Sequence, residues 1–502
     1  MQPSTILEIN NSLRYFIPEI ILSITFLVIL VAEIFSKRSS YVTLGIVSIV
    51  GVGAAMWAAF DQYALPSSLI FFRMMTVDPF GIYFKIIFAI STILIILFTM
   101  NSDELKRYNA GEYYCLILAS MLGMNLLATA NNLLMVWLAL ELVSVPSYLL
   151  SGFLKDDRLS AEAALKFVIY GSVSTAVMLF GLSYLYGMTG AYELSQIREA
   201  ILSTNPNPGI LLIIVSLVLV GIGYKIAAVP FHFWCPDVYQ GSPLVITAFF
   251  SIGPKAAGFA LMIRFFYGVF AQGGPDYQIV GGFHWPTFMA LIAAITMTVG
   301  NVVALWQTSM KRMLAYSSIA HVGYMMMGFV LLSSDGIQSI LFYILIYLVM
   351  NLGAFLVVIA VSSKMRSDEL SEYRGLMARS PFAASVFTVF LLSLTGIPAL
   401  GGFIGKLYLF MAAWNAKFYW LVILAAINSV ISFAYYGGVV KRMILEEGPV
   451  KEKFTLPRLS TVLLAVLAIF TFLMGLYWSP FAEFSQQSAD MLFGTSAIAA
   501  KE

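Results

Sequence analysis

Four ionisable side chains stand in long apolar runs with no charged neighbour within one helical turn: Glu141, Lys225, Lys255 and Lys406. An ionisable group in hydrocarbon costs several kcal/mol, so a chain that keeps four of them is expected to use them. A lysine free in water holds its proton up to about pH 10.4, whereas burial brings lysine into a range where it both takes and gives protons near neutrality. A carboxylate that moves nearer or farther would tune that exchange. Prolines stand close by: Pro146 would release the carbonyl of Leu142 beside Glu141, Pro230 that of Ile226 beside Lys225, and Pro254 directly precedes Lys255. The stretch Thr395-Gly-Ile-Pro398-Ala-Leu-Gly401-Gly402-Phe-Ile-Gly405-Lys406 reads as a helix interrupted just before its lysine. Broken helices are tolerated at membrane depth only where protein covers them or water reaches them, and they mark transport sites. An ordinary kink is the alternative at each proline.

Other ionisable residues are more ambiguous. Lys166, in Glu162-Ala-Ala-Leu-Lys166, suits either an i,i+4 ion pair or a proton relay. His321, in Ser317-Ser-Ile-Ala-His321-Val-Gly-Tyr324, suits either a hydrogen-bonded structural histidine or a relay. His232 is a third relay candidate; with Cys235 it makes only two ligands, too few for a metal site. Lys85 and Arg264 lie near the ends of apolar runs and are expected to snorkel to the headgroups. Gly405-Lys406 is no phosphate loop, because Leu400 and Leu407 stand where glycine and Ser or Thr are required.

The elements that hold these residues follow from composition. Of 502 residues 60% are hydrophobic and 11% charged, against about a quarter charged in soluble chains. About 20 apolar residues cross a bilayer core, and fourteen such runs are present. They span 16–36, 42–60, 79–100, 113–130, 132–154, 162–187, 209–228, 243–270, 286–306, 313–333, 337–362, 382–412, 418–440 and 459–479. The first lacks a basic leader and carries Pro18 and Glu19, so it is expected to remain as a helix rather than be cleaved as a signal. Two cysteines, Cys115 and Cys235, cannot ligate an iron–sulfur cluster, and no dinucleotide fingerprint is present, so the chain is expected to be free of cofactors. A net charge of +2 without a basic tail gives no case for nucleic acid.

With the crossings numbered one to fourteen, the odd loops hold 17 basic residues, among them Lys37, Arg38, Lys155, Lys311, Arg366, Lys441 and Lys451. The even loops hold 3: Arg73, Arg198 and Lys417. The positive-inside rule then puts the odd loops in the cytoplasm and both termini outside. The interrupted crossings are the seventh and twelfth, five apart. An odd offset requires the second copy to be inverted, which gives an all-α membrane fold of two inverted five-helix repeats with discontinuous helices 7 and 12. The expected division is 1–111, a three-helix segment; 112–272, crossings four to eight; 273–445, crossings nine to thirteen; and 446–502, crossing fourteen and a tail.

Trp137-Leu-Ala-Leu-Glu141-Leu and Gly223-Tyr-Lys225-Ile-Ala-Ala-Val-Pro230-Phe-His232-Phe-Trp234-Cys-Pro236-Asp237-Val-Tyr239-Gln-Gly241-Ser-Pro243 closely resemble the antiporter-like subunits of respiratory complex I. The phrase around Asp237-Val-Tyr239 looks like the N-type members, as does a lysine at 406 where M-type members carry glutamate. The resemblance runs through Lys311-Arg312-Met-Leu-Ala-Tyr to Gly405-Lys406. It implies a proton channel built from Glu141 and Lys225, a central Lys255, and Lys406 near the exit. It also implies a translocase subunit of a bacterial inner membrane whose partners are the other membrane subunits of complex I. NADH, FMN, iron–sulfur clusters and quinone would then act in partner subunits. The rival readings are a subunit of a multisubunit sodium/proton antiporter or membrane-bound hydrogenase, a carrier for an organic solute, and a membrane scaffold.

Overall fold

A computed structural model describes residues 3–35, 40–100, 102, 104–272, 278–365, 367–448 and 452–499. Lys37, Arg38, Arg366 and Lys451 of the loop count lie outside the described residues. An amphipathic α1 (Pro3–Tyr15) leads into α2 (Ile17–Phe35), α3 (Tyr41–Asp61), α4 (Pro79–Met100), α5 (Ala110–Thr129), α6 (Leu133–Ser151) and α7 (Arg158–Thr189). A short α8 (Leu194–Thr204) precedes α9 (Pro208–Ile226), which continues after a break as α10 (Trp234–Gly241). Then come α11 (Leu244–Phe270), α12 (Trp285–Ala304), α13 (Met310–Met326), α14 (Ser334–Met365) and a single turn, α15 (Leu376–Arg379). The chain ends with α16 (Pro381–Thr395), α17 (Gly401–Asn415), α18 (Tyr419–Leu445), α19 (Arg458–Leu476) and α20 (Ser479–Ala499).

Among the described residues 13 helices are long and apolar enough to span a bilayer. The remaining crossing, the twelfth in chain order, is made by α16 and α17 in series. Crossing seven is α9 with α10, so the two discontinuous crossings are five apart. The helices at Pro146 and Pro254 run on unbroken, contrary to the breaks expected there: each proline is simply an interior residue of α6 or α11. Beyond crossing fourteen the expected tail forms α20, whose Ser485 meets Tyr83 and whose Ser488 meets Tyr63.

Helix starts carry their own signals. Ser40, Asn109, Asn132, Asp157, Asn207 and Ser309 each accept a hydrogen bond from a backbone N–H of the first turn, satisfying donors that lipid would leave bare. Burial sorts the crossings: α11 is wholly enclosed and α13 and α14 nearly so, while α2, α3, α7 and α18 turn apolar faces outward. The centre of the molecule is therefore α11, α13 and α14.

The loops bond within two separate sets. On one face Phe71 N donates to Ser12 Oγ (3.0 Å), Asn131 N to Met74 O (2.9 Å) and Leu133 N to Tyr192 O (2.9 Å), and Arg73 pairs with Glu193 (2.9 Å). These residues belong to the N-terminal segment and the even loops. On the other face Leu244 N donates to Glu104 (3.0 Å), Met310 N to Asp368 O (2.7 Å) and Gly375 N to Arg442 O (3.0 Å), all from odd loops.

Candidate functional site

Lys225 is the penultimate residue of α9. The helix stops because Ala227 turns left-handed (φ +61°) and the amide of Ala228 closes back on the Gly223 carbonyl at 2.8 Å. Trp234 Nε1, at the start of α10, donates to the Tyr224 carbonyl at 2.9 Å, so an indole braces the break. Lys225 Nζ donates to Ser144 Oγ on α6 at 3.1 Å. Glu141 lies three residues before Ser144 on the same helix. It is half-buried, not deep, and no described residue supplies it with a hydrogen bond or a counter-ion. The structure thus brings Lys225 to the helix of Glu141, bonded to a serine one turn on from it, and makes no contact ion pair of the two.

Lys255, on α11, is 3% exposed. Its Nζ donates to Ser318 Oγ on α13 at 2.7 Å, lies 3.8 Å from Cys235 Sγ on α10, and sits 5.5 Å from the centre of the Tyr239 ring. A cavity beside it is lined by Ser251, Val322, Met325, Ile344 and Tyr347, with space for about one water. Among the described residues Tyr347 Oη, buried there, has no hydrogen-bond partner, nor has the buried Asn351 Oδ1, while Asn351 Nδ2 donates to Ser251 Oγ at 2.6 Å. Lys225 and Ile226 lie against Gly258, one turn along α11 from Lys255, where a Cβ would come within 2.6 Å of Ile226 Cγ2.

From Lys255 a polar stripe follows α13: Ser317, Ser318, His321 and Tyr324 share one face at helical spacing. His321 Nδ1 is hydrogen-bonded to Tyr343 Oη at 2.7 Å and Nε2 to Tyr436 Oη at 3.4 Å; Tyr436 also bonds Ser317. Lys406 stands at the end of the stripe, its ammonium 4.5 Å from the Tyr324 ring. Its Nζ donates to the Thr395 carbonyl (2.7 Å) and to Ser429 Oγ (3.3 Å). The Thr395 carbonyl is free because α16 ends there at Gly396 (φ +93°), so the lysine of one half-helix caps the other.

The remaining candidates lie off this row. Lys166 pairs with Glu162 (2.7 Å), the first of its two readings, and also with Asp237 (2.6 Å), which Arg312 holds from α13 (2.7 Å). His232 lies in the break of crossing seven, buried, and among the described residues its Nδ1 has no hydrogen-bond partner. Lys85 and Arg264 do not snorkel. Lys85 is 2% exposed and meets Glu19 at 2.8 Å; Arg264 grips Asp78 through two bonds of 2.8 and 2.9 Å. Both acids were hidden by their positions at helix starts, where Glu19 follows Pro18 and Asp78 precedes Pro79 in what reads as loop. Ser144, Ser318, Thr395 and Ser429 carry no signal in the sequence, since membrane helices hold many such residues. Among the described residues no three His, Cys, Asp or Glu side chains gather as metal ligands.

Residues 130–432, which contain Glu141, Lys225, Lys255, His321 and Lys406, match the family described as NADH:quinone oxidoreductase/Mrp antiporter, transmembrane. The chain is 42% identical to NADH-quinone oxidoreductase subunit N 2 of Chloroherpeton thalassium over 95% of its length and 94% of that protein. It is 40% identical to subunit N of Chlorobium chlorochromatii over 98% and 97%. A chain of respiratory complex I from Thermus thermophilus, 29% identical, superposes with a TM-score of 0.78 over 93% of this chain and 98% of that one. A chain of the Mrp complex from Dietzia sp. DQ12-45-1b, 19% identical, shares the fold with a TM-score of 0.81 over 97% and 99%. The chain belongs to the N-subunit branch of the NADH:quinone oxidoreductase/Mrp antiporter family.

Proposed function

We propose that this chain is a proton-translocating membrane subunit of a bacterial NADH:quinone oxidoreductase, seated in the inner membrane beside the other membrane subunits. The observation that carries the reading is the row of hydrogen-bonding side chains from Ser144 to Ser429, which takes in Lys225, Lys255 and Lys406, all three buried. Glu141, at the outer end of the row and one turn from Ser144, acts on Lys225 as a nearby negative charge. Lys255 passes a proton by way of Ser318 to the stripe of α13, where His321 and the hydroxyls of Tyr343 and Tyr436 relay it. Lys406 releases it at the second break. Lys166 and His232 flank the entry half.

Each proton moved against the membrane field costs about 2.3 kcal/mol per 100 mV, and a driver outside this chain is required. NADH, FMN, iron–sulfur clusters and quinone belong to partner subunits in this reading, and their redox change reaches the lysines as a shift in nearby charge. Odd loops face the cytoplasm, both termini face the periplasm, and the inverted repeats occupy 112–272 and 273–445. Residues 1–111 and 446–502 flank them.

The test is proton pumping by the reconstituted complex carrying Glu141→Gln, Lys225→Met or both. Each single substitution is expected to depress pumping and coupled quinone reduction, and the double to cost much less than the sum, since the residues act as one unit. Full pumping in either single variant, or additive losses, would sink the coupled-pair assignment.

A further inference from the structure

Two buried ion pairs, Asp78–Arg264 and Glu19–Lys85, staple α4 to α11 and to α2, and each joins one acid to one base. The charges at the odd-loop end of crossing seven are arranged differently, because there one carboxylate serves two cations from opposite halves of the chain. Lys166 Nζ of α7 donates to Asp237 Oδ2 at 2.6 Å, and Arg312 Nη1 of α13 donates to Asp237 Oδ1 at 2.7 Å. Arg312 Nη1 also reaches Gln240 Oε1 at 3.0 Å, and its Nε donates to Gln307 Oε1 at 3.2 Å. Lys311, beside it, donates to the carbonyls of Gln240 and Ser242, both at 3.2 Å. An ammonium therefore caps the end of α10 where the helix dipole is negative.

What this cluster grips is a helix too short to hold itself. α10 has 8 residues, with the break of crossing seven before it and Ser242-Pro243 after it. A helix of that length is unstable alone and keeps its place only through what it packs against. Its two faces have different neighbours. Asp237 and Gln240, three apart, meet Arg312; Cys235 and Tyr239, four apart, meet Lys255. The inner contact closes on α13 again, since Cys235 Sγ lies 3.9 Å from Ser318 Oγ, the acceptor of Lys255. Arg312 and Ser318 stand on one continuous helix, about 9 Å apart along its axis. The charged cluster and the surroundings of Lys255 are thus opposite ends of a single interface between α10 and α13.

We infer that Asp237 and Arg312, with Lys311 and Gln240, are positioning residues: they clamp α10 to α13 and so fix the thiol, ring and hydroxyl around Lys255. When the clamp is released, α10 moves on the break that precedes it, and Cys235 and Tyr239 draw away from the lysine. The effect on pumping rests on the function proposed above; the clamping of α10 does not.

The test uses the intact complex in native membranes and N-ethylmaleimide, which crosses membranes and alkylates thiols, with modification read separately at Cys235 and Cys115 by peptide mass. Cys235 is 0% exposed and Cys115 7%, and they lie on different helices, so Cys115 reports general loosening and Cys235 the interface of α10 with α13. Asp237→Asn and Arg312→Gln are expected to raise alkylation of Cys235 about tenfold with Cys115 unchanged, the mark of a local opening, and to lower pumping several-fold. Asp237→Glu, which keeps the charge, should recover most of both. Lys155→Gln, which removes a surface pair with Glu112 on the same face, should change neither. Lys311→Gln loses only the cap of α10 and serves where the other variants do not assemble; it should open Cys235 to a smaller extent. Lys255→Met is measured alongside: if it pumps normally, the role of Lys255 in pumping fails, and alkylation alone still decides the clamp. Cys235 as closed in Asp237→Asn, Arg312→Gln and Lys311→Gln as in the wild type would overturn the inference, whether or not pumping falls. Equal rises at Cys235 and Cys115 would overturn it too, since the loosening would then not be that of α10.

Discussion

Each lysine of the central row has a neutral oxygen as its nearest partner: Ser144 for Lys225, Ser318 for Lys255, the Thr395 carbonyl for Lys406. That choice permits exchange, because a lysine that loses its proton leaves no unpaired carboxylate beside it in a dry interior. It also makes the hydroxyls sensitive positions. Ser318→Ala removes the acceptor 2.7 Å from Lys255, so proton pumping by the reconstituted complex is expected to fall several-fold with assembly intact, whereas Ser318→Thr should retain it. The paired cations behave differently. Lys85→Met leaves Glu19 buried without its counter-ion, a change that costs about 3–5 kcal/mol in comparable pairs, and less complex should assemble in the membrane. Adding Glu19→Gln should restore assembly. The four residues in uncharged runs were legible in the sequence because charge in lipid is rare. The acids of the staples were not: near the start of a helix, a carboxylate in the core and one in a loop look alike.

At the scale of the element, the two interrupted crossings were readable from Pro230 and Pro398, but proline alone does not break a membrane helix, as Pro146 and Pro254 make plain. What ends α9 and α16 is a left-handed residue, Ala227 in one and Gly396 in the other, each with its amide turned back onto the last turn. Such a residue has no mark in the sequence when it is alanine. The strain differs in kind. An L-residue other than glycine in this region costs roughly 1–2 kcal/mol, so Ala227→Gly should raise the thermal midpoint of the complex slightly. Gly396→Ala should lower it, and a Cβ there would lie 3.0 Å from Lys406 Cδ, pressing the ammonium off the Thr395 carbonyl. Pumping in Gly396→Ala should therefore fall more than stability does. Equal losses in both readouts would mean that the break has no part in placing Lys406.

Across the whole molecule, the division of basic residues and the division of loop contacts agree, although they rest on different physics. The first reflects insertion, which holds lysine and arginine back on the cytoplasmic side. The second reflects packing: the hairpin of Ser68–Ile70 and Met75–Val77 and the start of α8 brace one face, while the loops carrying Glu104, Asp368 and Arg442 brace the other. A miscounted crossing would force contacts between the sets. The relative sides of the loops follow from this geometry, and the absolute side rests on the basic residues alone, so it is open to a direct experiment. Cys115 and Cys235 are buried, which leaves little background for a membrane-impermeant thiol reagent. Lys417 and Asp490 are exposed on the even face and Lys453 on the odd face. In intact cells, with the chain in its native complex, Lys417→Cys and Asp490→Cys should label and Lys453→Cys should not; in inside-out vesicles the pattern should reverse. If Lys453→Cys labels in intact cells, the molecule sits upside down, and a proton entering beside Glu141 would travel in the opposite sense. If Lys417→Cys and Lys453→Cys label from the same side, the count of crossings between them is wrong, and the inverted repeat fails with it.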